Sequence, residues 1–251
     1  MTQAKRAGKS DSCRLVGPAV KSHSIRKVFG GDQMTIRRFD DESLSQALRA
    51  EVARYRHEVF VRLLKWELSC AEGYEQDEFD RPGAVHLVAT GEDLQVNGYA
   101  RLLPTSDTYL LAKHFPQLLN GRAAPCSPDV WELSRFTSAA VGRAGSTDLA
   151  SQTRVGKRLL LEAVRHVAEQ GARDMVFCTT VAIERLAQRW GVEIQRMGPP
   201  QRSAAGLLVA AQIRCSACTM DALAVEEAGI HSAPPAVVTF QPPAALVAHA
   251  V

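Results

Sequence analysis

From residue 34 onward the chain alternates between two hydrophobic rhythms, and each marks an element. "MTIRRF", opening at Met34, alternates with a period of two and predicts a strand. Residues 41–64, "DESLSQALRAEVARYRHEVFVRLL", place Leu44, Leu48, Val52, Tyr55 and Val59 at helical spacing behind an Asp or Ser cap, which predicts a helix. Residues 84–105 read as two strands about a Gly-Glu-Asp turn, an antiparallel hairpin. "VWELSRFTSA", 130–139, is a further strand. Residues 151–172 carry an amphipathic helix ending at Gly171, 174–180 a short buried strand, and 182–191 a second helix ending at Gly191. Residues 192–198 and 204–215 close with two more strands. Strands first, then an alternation of strand and helix, predict one α/β domain around a mixed sheet.

The flanks break the rhythm. Residues 1–33 are rich in Lys, Arg, Ser and Gly without a period and read as a disordered basic extension. Residues 226–251 form a Pro/Ala-rich tail unsuited to regular structure. This leaves 34–225 as the domain. Composition changes the picture mainly through charge. The chain of 251 residues carries a formal +3, yet residues 1–33 hold seven of its 30 basic residues and two of its 27 acidic ones. The remainder therefore has 23 basic against 25 acidic residues, and the basic balance does not make the body a nucleic-acid binder. No apolar stretch has the length of a membrane span, and no signal-peptide core is present, so a cytoplasmic protein without membrane contact is expected. Six scattered cysteines fit reduced thiols. The lone Cys215-Ser-Ala-Cys218 reads as a strand and its end, and no metal site is expected.

Charge also enters four segments where apolar elements are expected. "RHEVFVRLLKW" holds Arg56, Phe60 and Trp66. "DEFD" holds Asp77 and Asp80, three apart in an acidic loop. "GYARLLPT" puts Arg101 in the second hairpin strand, and "VWELSRF" puts Glu132 and Arg135 between a Trp and a Phe. Singly, each fits a solvated helix face, an acidic loop or an edge ion pair. Together, "RxxVFxxxLxW", D-x-x-D, "GxxRLLPT", "FPQLL" and "WExSRF", in this order from Met34 to about Cys215, resemble the acyl-homoserine-lactone synthases, the bacterial quorum-sensing autoinducer synthases.

The resemblance implies a Gcn5-type N-acetyltransferase-like α/β fold of three layers, a twisted mixed sheet flanked by helices and split to admit an acyl thioester. It implies two substrates, S-adenosylmethionine and an acyl group on acyl carrier protein, and no cofactor. The amine must lose a proton before it attacks the thioester, so a base is needed. Glu132 is the candidate, directly or through water, because a strand is rigid and apolar neighbours raise a carboxylate's basicity; a structural pair with Arg135 is the competing reading. Arg56, Arg101 and Arg135 suit the carboxylate of S-adenosylmethionine, Asp77 and Asp80 its cations, and Phe60 and Trp66 its sulfonium and adenine.

For the acyl group, strand alternation puts Phe177 and Thr179 on one face of their strand, and Phe136 completes a candidate acyl pocket. Aligned with the family, Phe177 takes the place of a Thr found in synthases of 3-oxo chains, which predicts an unsubstituted chain of short to medium length. "SQTRVGKRLL" resembles a Gly-containing turn that cradles pantetheine phosphate. Arg154, Lys157, Arg158, Arg185 and Arg189 are candidates for docking an acidic carrier protein. Two other readings compete: an acyltransferase using acyl-CoA and another amine, and a non-catalytic sensor or regulator. The second has no helix-turn-helix candidate to support it.

Overall fold

The computed structural model of the chain describes residues 34–91, 94–141, 149–203 and 206–225. The basic extension 1–33 and the tail 226–251 lie outside them. Strand β1 (Thr35–Asp40) leads through a 3₁₀ turn at Asp41–Ser43 to helix α1 (Gln46–Arg56). Ser45, not an Asp, caps α1, its side chain accepting from the Leu48 amide at 3.3 Å. The helix then continues as a π-helical stretch, His57–Leu63. The hairpin is β2 (Val85–Thr90) and β3 (Val96–Pro104), and β4 spans Val130–Thr137.

After β4 come α3 (Leu149–Glu169), β5 (Asp174–Thr180), α4 (Val181–Arg189), β6 (Ile194–Arg196), β7 (Gln201–Ser203) and β8 (Gly206–Arg214). Gly171 and Gly191 take φ of +77° and +80° just past α3 and α4, the left-handed turn that ends each helix. Three elements depart from the sequence expectation. Residues 110–119 form the short helix α2 (Leu110–His114) and a 3₁₀ turn, Pro116–Leu119. Strand β7 was not expected. The Cys215-Cys218 segment is not a plain strand end: Ser216 caps α5 (Ala217–Ala224), which contains Cys218. All three pieces are too short for a period to register.

The sheet runs β1-β2-β3-β4-β5-β8-β6, with β7 also on β8. Among the described strands only β4 and β5 pair in parallel. The main core lies between the sheet and α3 and α4, holding Leu87, Leu102, Leu133, Phe136, Leu159, Phe177 and Trp190. On the other face α1 and the π-helical stretch after it bury Val52, Tyr55 and Val59 against Val88 and Tyr99. Beside it, α2 and its 3₁₀ turn bury Leu110, Leu111, Phe115 and Leu118 on Val176, Cys178 and Ala210. The result is the expected three-layer arrangement, a mixed sheet flanked by helices on both faces. Among the described residues no helix is long and apolar enough to cross a membrane.

The parallel seam is short. β4 pairs with β5 only through Val130, Trp131 and Glu132. Beyond that point β5 stays on β8, and the two halves of the sheet diverge as a wedge. The segment 110–122 bridges them on the α2 face. It is tied to β4 by Glu132, to the loop after β6 by Arg122 donating to the Met197 carbonyl, and to β7 by Gln201 donating to the Gln117 carbonyl at 2.6 Å. Gly198 lies so close to this segment that a Cβ there would sit 2.2 Å from the Leu118 carbonyl oxygen.

One core residue carries a pH liability. His166, on α3, is 5% exposed, packs edge-on to Trp131, and has no hydrogen-bond partner at either ring nitrogen among the described residues. Burial pushes its pKa down from 6.5 to about 4, with Arg38 adding to the effect. The unfolded chain therefore binds this proton more readily, and stability falls as pH drops through that window. His166→Leu should keep the fold, gain about 1 kcal/mol from removing unpaired polar atoms, and flatten this part of the acid limb. Urea melts of both proteins at several pH values between 4 and 7 check this.

Candidate functional site

The charged segments converge on one face of the sheet, the face that carries α1 and α2. Arg56 closes α1. The π-helical stretch after it redirects the chain, with the Leu64 amide bonding the Val59 carbonyl at 2.9 Å and the Trp66 amide the Phe60 carbonyl at 2.8 Å. This brings Trp66 back onto Phe60, stacked with ring centroids 4.7 Å apart. The loop that follows folds on its own carboxylates: Asp77 accepts from the Phe79 amide at 2.9 Å, and Asp80 from the Asp77 amide at 2.8 Å.

Strand β4 answers why "WELSRF" holds both an acid and a base. Ser134 lies opposite Arg101, and Thr137 opposite Tyr99, so three steps on β4 match two on β3. This is a bulge, and Arg135 takes φ of +52° within it. Strict alternation would send Glu132 and Ser134 to one face and Arg135 to the other, into the α3 core. The bulge turns Arg135 back beside them. It does not pair with Glu132.

Arg135 instead bonds Glu75 Oε1 and Asp77 Oδ2, both at 2.8 Å. Arg56 bonds Glu75 at 2.5 Å and Asp80 at 2.7 Å. Arg101 bonds Asp77 at 2.5 Å and Asp80 at 2.7 Å, and its Nε donates to Ser134 Oγ at 3.1 Å. Three guanidinium groups thus meet three carboxylates in a buried, neutral network. Burial alone would raise these carboxyl pKa values. For Asp77, Arg101 and Arg135 override it, lowering the pKa to about 2; Arg56 and Arg101 hold Asp80 lower still, and Arg135 and Arg56 lower Glu75. Of the three carboxylates, only Asp77 has an appreciably exposed side chain, 18% against 1% for Glu75 and 5% for Asp80.

In this structure the arginine forks expected to grip a substrate carboxylate bond the protein's own acids, because burial of three guanidinium groups demands compensation, while Arg56 Nη2 has no hydrogen-bond partner among the described residues. Phe60 is fully buried, stacked on Trp66, with the Arg135 guanidinium 5.6 Å from its ring centroid, so it supports the aromatic pair. Glu75 was missed. It sits in the same acidic loop, two residues before the D-x-x-D pair that drew attention away from it.

Behind the network lies a second missed group. His86 Nε2 is 3.1 Å from Asp41, and its Nδ1 is 2.7 Å from the Tyr99 hydroxyl. Asp41, held by Arg49 at 2.7 Å, accepts only, so Nε2 carries the proton and Tyr99 donates to Nδ1. Burial, aided by Arg101 and Arg56, lowers the His86 pKa to about 4 and keeps the ring neutral. The Tyr99 ring in turn lies 5.4 Å beneath the Arg56 guanidinium.

Glu132 stands apart from the neutral network. It is 1% exposed, and its two oxygens accept from the backbone amides of Leu110 and Leu111 at 2.9 and 2.6 Å. Burial raises its pKa to about 7, against the pull of those two amides and of Arg101. It lies at the apex of the wedge, on the last β4 residue paired with β5. No sequence signal marks backbone amides as partners.

Phe136 and Phe177 are fully buried in the core between the sheet and α3 and α4, and Thr179 is fully buried on the same strand as Phe177. Gly156 is not in a turn: it lies inside α3, against Ser138 and Trp190. Of the docking candidates, Arg154, Arg185 and Arg189 are exposed and Arg158 half-buried. Lys157 is 7% exposed and donates to the Val225 carbonyl at 3.0 Å, because the end of α5 lies over α3; it is not a surface charge.

Comparison with known proteins follows the same outline. The family model described as autoinducer synthase matches residues 40–223. An acyl-homoserine-lactone synthase of Acinetobacter nosocomialis is 40% identical over 159 residues, 63% of this chain and 87% of that protein. The crystal structure of the AHL synthase LasI superposes with a TM-score of 0.69 at 30% identity, covering 77% of this chain and 96% of LasI. TofI, solved in a ternary complex with an inhibitor and MTA, gives a TM-score of 0.65 at 34% identity over 76% of this chain and 96% of TofI.

Proposed function

Because this chain belongs to the autoinducer synthase family, the acyl-homoserine-lactone synthases, we propose that it transfers an acyl group from acyl carrier protein to the α-amino group of S-adenosylmethionine and then closes the lactone. The amine nitrogen attacks the thioester carbon, the carrier thiolate leaves, and the amine proton passes to Glu132, directly or through one water. The methionyl carboxylate then attacks its own γ-carbon. The γ-carbon–sulfur bond breaks, and methylthioadenosine departs with the electron pair. The sulfonium is a ready leaving group, so the protein need only hold the chain curled for attack. No cofactor enters; S-adenosylmethionine is consumed as a substrate.

The observation that carries this reading is Glu132: a buried carboxylate near neutrality in basicity, at the apex of the wedge and beside a neutral Arg–carboxylate network. Asp77, the most open acid of that network, is the partner for the substrate's cations, and Trp66, stacked on Phe60, serves the adenine or sulfonium. Arg56, Arg101, Asp80 and Phe60 hold that wall in shape, with Arg135 bonded to Asp77. TofI was solved with MTA, the portion of S-adenosylmethionine left after lactonisation, which supports this substrate for the chain. Arg154, Arg158, Arg185 and Arg189 offer the positive surface for an acidic carrier protein.

One experiment tests the whole reading. The purified protein is mixed with S-adenosylmethionine and either an acyl carrier thioester or the matching acyl-CoA, and lactone and methylthioadenosine are followed by mass spectrometry. Both products should appear in equal amounts, faster with the carrier protein. Faster turnover with acyl-CoA would move the donor assignment, and acyl transfer without methylthioadenosine would move the acceptor. In the same assay an unsubstituted chain should outrun a 3-oxo chain of equal length, since Phe177 has no hydroxyl to offer a buried 3-oxo oxygen.

A further inference from the structure

We propose that Ser138 binds the donor: its hydroxyl takes the outer amide of the pantetheine arm that carries the acyl thioester, an inference that rests on the acyltransferase reading above. Ser138 is 1% exposed, and its Oγ has no hydrogen-bond partner among the described residues. A buried hydroxyl left unpaired weakens a fold, and such a group is explained when a ligand uses it.

The direction of the side chain is fixed from both sides. Ala139 packs in the α1 core, its carbonyl accepts from the Tyr55 hydroxyl at 2.8 Å, and its amide donates to Thr137 Oγ1 at 3.2 Å. Ser138 between them therefore faces α3. There it meets Gly156, where a Cβ would sit 3.1 Å from Ser138 Oγ and 3.3 Å from the Trp190 ring. Glycine at position 156 lets α3 approach the hydroxyl this closely; any side chain there would crowd it.

The place along the strand suits the arm. Past Glu132, β4 has no β5 partner, and Ser138 lies four residues beyond Ser134, roughly 10 Å toward the open end of the wedge once the bulge at Arg135 takes out one step. A pantetheine arm with its thioester near Ser134 carries one amide close to the sulfur and a second farther out. Its methylene links suit the apolar walls made by Phe136 and Phe177, and its outer amide falls at Ser138. Acyl carrier protein and CoA bear the same arm, so the same contact serves either source.

Ser138→Ala is compared with the wild type using acyl carrier protein, acyl-CoA, and an N-acetylcysteamine thioester, which ends after the first amide. The donor KM should rise about five- to tenfold, the size of one neutral hydrogen bond, for both full-arm donors. The KM for S-adenosylmethionine and turnover of the truncated thioester should not change, and Tm should hold or rise because an unpaired hydroxyl is gone. Gly156→Ala, which keeps the hydroxyl but crowds it, should show the same selectivity. An equal loss with the truncated donor, or an unchanged KM for the full-arm donors, overturns the assignment. Equilibrium binding of acyl-CoA to both proteins without S-adenosylmethionine reads the contact even if another amine is the acceptor; the failure of that parent reading would show separately, as absent methylthioadenosine.

Discussion

Glu132→Gln is expected to lower lactone formation by about 10²-fold or more, the usual size of a general-base contribution, with S-adenosylmethionine affinity near the wild-type value. The loss should fall on kcat. In the wild type only the ionised carboxylate accepts the amine proton, so the rate should climb with pH through the Glu132 pKa of about 7 and then level; the Gln variant should lack that limb. Stability follows the opposite sign. Burial raises the Glu132 pKa from 4.5 in the folded state, so its contribution is fully present below 4.5 and is lost as pH rises through about 7. The group that supplies the base thus weakens the fold in the range where it works. Gln cannot reproduce both contacts, because its NH₂ must face the Leu110 or the Leu111 amide, one donor against another. A stability loss of about 1–3 kcal/mol is therefore expected alongside the kinetic one. Stopped-flow acylation and urea melts across pH 5–9 measure the two effects separately. Near-normal turnover in a variant with a lowered Tm would reduce Glu132 to the anchor of α2.

Glu75→Ala should produce the largest loss of stability. Glu75 is 1% exposed and meets both Arg56 and Arg135, at 2.5 and 2.8 Å. Its removal leaves two guanidinium groups short of a buried counter-charge, and breaking a buried pair from one side costs about 3–5 kcal/mol. Gln at this position keeps an oxygen for one arginine and should lose less. Asp77→Ala also should lose less, because water reaches that carboxylate and replaces part of what it gives. Denaturant midpoints of the three variants order the effects. A Glu75→Ala protein with a wild-type midpoint would mean that Asp77 and Asp80 alone balance the three arginines. Acidification acts on the same network: the lowered pKa values of Glu75, Asp77 and Asp80 place their contribution above the unfolded carboxyl range, and it is lost as pH falls through the folded values.

Most of the architecture was legible because its elements are long enough to show a period. β2 through β5, α3 and α4 fall where hydrophobic spacing put them, and Gly171 and Gly191 end their helices by a mechanism that sequence reveals. The site was legible at the level of which residues gather: Arg56, Asp77, Asp80, Arg101 and Arg135 meet in one cluster. Who pairs with whom was not. A one-residue bulge decides the face on which Arg135 lands, and no pattern announces it. Glu75 hid among five acids in one loop, and the partners of Glu132 are backbone amides, which every residue but proline has. Lys157 carried the charge of a surface residue, and only the packing of α5 over α3 shows it to be covered. The α2 segment was lost for want of length, though its "FPQLL" had been singled out as a motif.

That segment has a mechanical consequence. The sheet is two plates hinged along a seam of three residue pairs. On one face the core that both plates share with α3 and α4 holds the opening angle. The 110–122 segment acts as a brace set off the hinge axis, fastened to one plate through Glu132 and to the other through the loop around Gly198. It holds the angle from the α2 face. A side chain at Gly198 would press on the brace at Leu118 and swing one plate against the other. Every group at the mouth of the wedge would then shift, although none of them touches the altered residue.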